Sequence, residues 1–355
     1  MPSPSPLSTR RVLASLALIA TLGAGAGAAF AYTAGWLSPG RLTPQRVLDA
    51  LDGPAGPTPG YRRNHAKGIC FTGLFESNGA GQTISRAALF TSGQYPALGR
   101  FNLGTTDPTA ADGAVRVRGI GLQIVGPHGA TWRSAMINAP VFAVATPQGF
   151  HDLQVAAHSD TPGAMAAFAQ RHPEFHAFAS WAASAPWTGS YAETAFNSLD
   201  SFIFSDADGR DHAVRWSLLP VAPVTDITRG DLEALGPNHL EQEIATRVAA
   251  APQRWRLVVT LANDGDQTAD PTQAWPEGRR TLEVGTLVVQ RIEAERDGPC
   301  RDITFDPTIL PDGMRVSDDP LPAARSAAYA RSYNLRTAEA DQYPHHLPAA
   351  PEPAR

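Results

Sequence analysis

Helix-breaking residues set the outer limits on what this chain can become. It carries 31 glycines and 31 prolines among 355 residues, with only 18% charged. A chain so interrupted suits a loop-rich fold containing strands better than a bundle of long helices. Its hydrophobic share of 43% is enough for a large core, as one big domain or two ordinary ones. The net charge of −5 comes without a basic run, which argues against nucleic acid as a partner. Cys70 and Cys300 belong to no CxxC or ligand cluster, so a zinc site is not expected. No internal repeat is visible.

The N-terminus stands apart. Arg10 and Arg11 are followed by no charged residue until Arg41, and Val12 to Ala31 is rich in Ala, Leu and Gly. Residues 1–35 therefore read as a signal peptide or as a retained N-terminal membrane anchor. Ala29-Phe30-Ala31 offers a small-residue cleavage site, and Ser8 to Leu13 has a twin-arginine look suited to export with a cofactor already inserted. The uncharged length can span a bilayer, although its many Gly and Ala make it a weak span. Both readings put the body outside the cytoplasm: periplasmic or exported, or attached to the inner membrane. In that setting a Cys70–Cys300 disulfide is permitted, with two buried free thiols as the alternative.

Along the rest of the chain, Thr43-Pro44 starts a short helix running through Val47 and Leu51, and residues 53–60 form a Pro/Gly linker. From Ile84 to Arg133 the reading is strands, with a hairpin from Arg118–Val125 into Ala130–Arg133. Gly119 and Gly121 look like half a dinucleotide fingerprint, but the third glycine and the following helix are missing, so that site is rejected. Residues 161–200 read as helical with an apolar face at Met165, Phe168, Phe175, Phe178 and Trp181. Phe202 to Leu219 reads as a strand pair, Asp231 to Ala250 as one connecting helix, and Arg254 to Leu261 and Leu282 to Arg291 as strands. Tyr343 to Arg355 reads as a Pro-rich disordered tail.

Arg325 and Tyr329 stand four residues apart, and alanines at 323, 324, 327, 328 and 330 favour a helix that puts both on one face. A phenol titrates near pH ~10 in water, so a tyrosine acting as an anion needs a fixed cation beside it, which a guanidinium one turn away supplies. Alone, such a pair is ordinarily a surface or packing pair. Its company changes the reading. Arg62-Arg63-Asn64-His65-Ala66-Lys67-Gly68, Gly99-Arg100-Phe101, Asn138-Ala139-Pro140-Val141-Phe142 and Arg325 with Tyr329 and Arg336 stand in family order. Over roughly residues 58 to 340 the chain resembles the haem catalases, most closely their small, exported catalase-related peroxidases.

That resemblance implies an α+β fold, an antiparallel β-barrel with helical additions. It implies one domain over residues 36–340 enclosing haem b, with 341–355 as the tail. It implies that Tyr329 is the axial iron ligand, supported by Arg325 and Arg336, and that Arg62 and Arg100 bind haem propionates. His65 is then the distal acid/base and Asn138 the second distal residue, which hydrogen-bonds peroxide without titrating. Two departures stand out. Asn102 occupies the position of a family Ser near His65, leaving that hydrogen bond open, although an amide oxygen can replace a hydroxyl. Ala143 replaces a Phe, which implies a roomier pocket. The expected activity is a haem peroxidase that uses hydrogen peroxide to oxidise a small organic reductant, with minor catalase turnover. An enzyme processing organic or lipid hydroperoxides and a non-catalytic haem carrier are the rivals.

Overall fold

The computed structural model describes residues 9–38 and 40–339; the tail expected at 341–355 lies outside them. The uncharged N-terminal stretch forms α1 (Thr9–Thr33), none of whose residues is buried and which is long and apolar enough to cross a membrane. In α2 (Pro44–Asp52) the Thr43 hydroxyl accepts from the Arg46 N–H, and Gly53 at φ 58° ends the helix, as the sequence reading requires.

The body is built on β1 (Gly68–Ser77), β2 (Gly93–Leu103), β3 (Arg118–Val125) and β4 (Thr131–Ile137), a run of antiparallel neighbours. Then follow α3 (Pro147–Ala157), α4 (Ala164–Arg171), α5 (Phe175–Ser184), β5 (Trp187–Thr188), β6 (Phe196–Asn197), β7 (Phe202–Ser205) and β8 (Asp211–Pro220). After them come β9 (Asp226–Ile227), α6 (Arg229–Ala234), α7 (His239–Ala250), β10 (Gln253–Leu261), β11 (Thr281–Ala294), β12 (Met314–Val316) and α8 (Leu321–Ala338). The order β1-β2-β3-β4-β6-β8-β10-β11 returns to β1, closing an eight-stranded antiparallel barrel. Closure removes the free edges that an open sheet of this size would expose.

Alternation explains the half-buried strands. In β10, Trp255, Leu257, Val259 and Leu261 are buried while Arg254 and Arg256 face outward, and β8 repeats this with Val214, Trp216 and Leu218. The core is aromatic: Phe101 lies 4.8 Å from Phe71, 5.1 Å from Tyr191 and 5.5 Å from Trp255 between ring centres. Two of the three buried indoles keep a partner, Trp216 donating to Ser134 Oγ and Trp255 to the Thr194 carbonyl, while the Trp132 N–H has none among the described residues.

Three expectations need correction. The helix read over 161–200 stops at Ser184: Pro173 separates α4 from α5, and Pro186 and Gly189 turn the chain into β5. The helix read from Asp231 to Ala250 breaks at Gly236-Pro237 into α6 and α7. Strand β1, which directly follows the His65 motif, and helix α3 were not anticipated; β1 mixes buried and half-buried positions without clean alternation.

Candidate active site

Helix α8, the wall formed by α2 and α3, and the segment leading into β1 border one cavity of about 210 Å³ that is partly open to solvent. His65, Arg62, Arg100, Arg325, Tyr329 and Arg336 all line it. Their sequence separations run to hundreds of residues, so the fold has assembled them.

The segment around His65 is anchored residue by residue. Lys67 is buried and donates to Asp112 at 2.8 Å and to the carbonyls of Ala110 and Pro237. Arg100 of β2 crosses beneath the segment, donating to the His65 carbonyl at 2.7 Å and the Ala66 carbonyl at 3.0 Å. Gly68 makes room for it: a Cβ there would stand 2.5 Å from the Arg100 guanidinium carbon and 2.3 Å from the Phe101 oxygen. His65 itself is held in the left-handed region at φ 55°.

Asn102 answers the question left by the missing Ser. Its Oδ1 lies 2.7 Å from His65 Nδ1 while its amide nitrogen donates to the Arg100 carbonyl at 3.3 Å. With Oδ1 as acceptor, the ring proton sits on Nδ1 and the lone pair on Nε2. Gly119 on β3 leaves the space for the larger amide, since a Cβ there would fall 2.3 Å from Asn102 Oδ1. Burial, then the neighbouring Arg100, pushes His65 down to about 4, so the ring is neutral at pH 7.

The opposite wall is α8. Leu321, Ala324, Arg325, Ala328, Tyr329, Ser332 and Arg336 recur every three to four residues on the cavity face. Arg325 donates to Tyr329 Oη at 3.2 Å and to the Ala135 carbonyl at 3.2 Å, and forms an ion pair with buried Asp200. Burial opposes its charge, but Tyr329 and Asp200 hold Arg325 above its ordinary range. Arg62 and Arg100 converge on Glu295, at 3.1 and 2.6 Å. Arg336 donates to the Arg301 carbonyl.

Asn138 is engaged by the neighbouring strand. Its Oδ1 accepts from the Arg118 N–H at 3.0 Å and its Nδ2 donates to the Arg116 carbonyl at 3.4 Å, so its amide stitches the end of β4 to β3. It does not line the cavity; the preceding Ile137 does. Ala143 is displaced from its expected role, being buried outside the cavity lining, while Phe142 and Phe150 line it and stack 6.1 Å apart. The expected disulfide is present, joining Cys70 and Cys300. Sequence reasoning missed Asp200, Glu295 and Ile137. No local pattern marks the two carboxylates, which meet their arginines 125 and 195 or more residues away.

The Catalase family model matches residues 59–350. The chain is 36% identical over 311 residues to a catalase-related peroxidase of Synechococcus elongatus, covering 86% of this chain and 91% of that protein. It is 33% identical over 301 residues to a catalase-related peroxidase of Mycolicibacterium paratuberculosis, covering 84% and 96%. Catalase isozyme A of Oryza sativa is 23% identical over 292 residues, covering 77% of this chain and 59% of that protein. Barrel and relatives together define the class: an oxidoreductase acting on peroxide. The chain belongs to the catalase family, whose members typically bind haem.

Proposed function

We propose that this protein is a haem-dependent peroxidase that uses hydrogen peroxide to oxidise small organic donors, with minor catalase turnover. The observation that carries this is one cavity lined both by the Arg325–Tyr329 pair and by the His65–Asn102 pair. The donor set fits haem, in our reading haem b: an oxygen ligand beside a fixed cation with Arg336 two turns further along α8, apolar walls at Ile120, Met136, Ile137 and Phe305 for a porphyrin, and Arg62 and Arg100 for its acid groups. Among the described residues no cluster of His, Cys, Asp or Glu is placed to hold a bare metal ion. Tyr329 Oη would hold the iron, as in the family's Tyr-ligated haem.

When bound, haem supplies an iron that can take two oxidising equivalents from peroxide. His65 Nε2 takes the proton from the inner peroxide oxygen and returns it to the outer one, while Asn102 fixes the tautomer through Nδ1. Arg325, donating to Tyr329 Oη, fixes the position of that oxygen in the cavity. Asn138, whose amide ties the end of β4 to the Arg118 backbone, follows directly on the cavity-lining Ile137. Donor oxidation prevails over oxygen release in this reading because the cavity is partly open to solvent, which lets an organic donor reach it. The relatives named catalase-related peroxidases support the peroxidase reading. The domain spans 36–340. We place it outside the cytoplasm, with α1 as export segment or anchor, a setting in which the Cys70–Cys300 disulfide persists.

The test compares oxygen release with oxidation of a bulky aromatic donor by one haem-loaded preparation given hydrogen peroxide. Donor oxidation with slow oxygen release is expected. Vigorous oxygen release without donor oxidation overturns the peroxidase reading. Turnover only with organic hydroperoxides points to the rival substrate class, and no turnover at all to a haem carrier.

A further inference from the structure

Two of the cavity's arginines are held by a single strap, residues 295–303, that follows β11. Arg62 donates through Nε to Glu295 at 3.1 Å and through Nη2 to the carbonyls of Cys300 at 2.9 Å, Ile303 at 3.1 Å and Arg301 at 3.3 Å. Arg100 donates through Nη2 to the other Glu295 oxygen at 2.6 Å. The strap is fastened to the barrel by the Cys70–Cys300 disulfide, and Cys70 on β1 stands in register with Arg100 on β2. One carboxylate thus bridges two guanidinia, and one covalent link holds its strap beside both.

The physical need for that carboxylate is plain. Two cations facing each other in a buried space repel strongly, and removing their common partner leaves uncompensated charge. Burial pulls Arg62 down to about 10, and Glu295 is the largest influence opposing it. Glu295 itself is pushed up by burial, yet Arg100 and Arg62 together bring it below the usual carboxylate range. A ligand acid group entering the cavity therefore meets guanidinia that are already charged and oriented.

We propose that Glu295 is a positioning residue for the acid groups of the cavity's ligand, aligning Arg62 and Arg100 to receive them, with the Cys70–Cys300 link keeping its strap in place. This rests on the haem reading above, in which the acid groups are the two propionates. Glu295 touches neither the reacting atoms nor peroxide; it acts through the two arginines.

The test titrates the ligand-free full chain with ferric haem and with its dimethyl ester, whose acid groups are neutral, and follows transfer of each to excess apomyoglobin. Glu295→Gln should weaken haem about tenfold or more, about 1.4 kcal/mol, while the ester changes by less than about twofold. The Cys70→Ser/Cys300→Ser chain should shift the haem-to-ester ratio in the same direction. Equal losses for both ligands would show a merely structural role and overturn the proposal, as would unchanged or tighter haem binding in Glu295→Gln. If that chain does not fold, Glu295→Asp keeps the charge with a shorter reach. A haem-to-ester ratio equal to that of the native chain then overturns the proposal. A native chain that takes neither ligand defeats the haem reading itself; a native chain that binds both equally defeats only the role of the arginines and Glu295.

Discussion

His65 shows how one side chain's surroundings set its chemistry. Its Nδ1 is engaged by Asn102 at 2.7 Å, which leaves Nε2 with the lone pair, and burial keeps the ring neutral far below its ordinary value. His65→Ala should bind cofactor normally yet process hydrogen peroxide more slowly by about 10²–10⁴, as expected for loss of a positioned acid/base. Stopped-flow rates checked against unchanged cofactor content decide this, and equal rates remove His65 from the mechanism. The pH dependence has a definite sign. Because the folded value is about 4, activity should hold steady from neutrality down to about pH 5 and fall as Nε2 is protonated near 4. For stability, the unfolded ring takes up a proton near its ordinary value of 6.5 and the folded ring does not. The contribution is thus complete above that value and is lost as pH falls toward about 4. A rate profile centred near 6.5 would contradict the buried, neutral histidine.

At the level of elements, α8 and the β3–β4 pair show which patterns travel reliably from sequence. The four-residue step from Arg325 to Tyr329 survives folding because it depends only on the helical period, and the guanidinium reaches the phenol oxygen at 3.2 Å. Tyr329→Phe should therefore abolish a tyrosinate-type spectrum and most cofactor binding while leaving α8 intact by far-UV circular dichroism. An unchanged spectrum sinks the assignment of this ligand. The end of β4 behaves otherwise. Ala135, Met136 and Ile137 line the cavity in succession and Asn138 follows them, so the motif beginning at Asn138 cannot say where that lining ends. The β3 backbone decides it by engaging the Asn138 amide. Asn138→Ala should consequently lower stability by about 1–3 kcal/mol, the cost of orphaned buried backbone groups, and change the peroxide rate less than His65→Ala does. Denaturant midpoints and rates on one preparation separate the two effects. A rate loss matching that of His65→Ala restores Asn138 to the substrate.

Across the whole molecule, contacts far apart in sequence do the assembling. Strand β8 pairs with β10 to close the barrel, with Leu218 opposite Leu257, and the disulfide joins residues 230 apart. Replacing both cysteines by serine should destabilise the chain by about 2–5 kcal/mol through the freed unfolded state and the lost strap contacts. Chemical denaturation of ligand-free protein measures it, and a midpoint shift within experimental error would show that the strap holds itself. Oxidised and reduced native chains should differ in the same direction.

The sequence alone determined whatever rests on backbone period and short-range chemistry: the cap and stop of α2, the alternation of β8 and β10, the Arg325–Tyr329 step, and the run from Arg62 to Gly68. Those features need only neighbours within a few residues. The tertiary structure decided the partners. It brought Asp200 to Arg325, Glu295 to Arg62 and Arg100, Asn102 to His65, and Cys70 to Cys300, and it tied the Asn138 amide to the Arg118 backbone. Each of these depends on strand register and barrel closure, where a shift of a single residue exchanges the buried face for the other. No local pattern carries that information, because the energy selecting the register comes from burying the aromatic core as a whole.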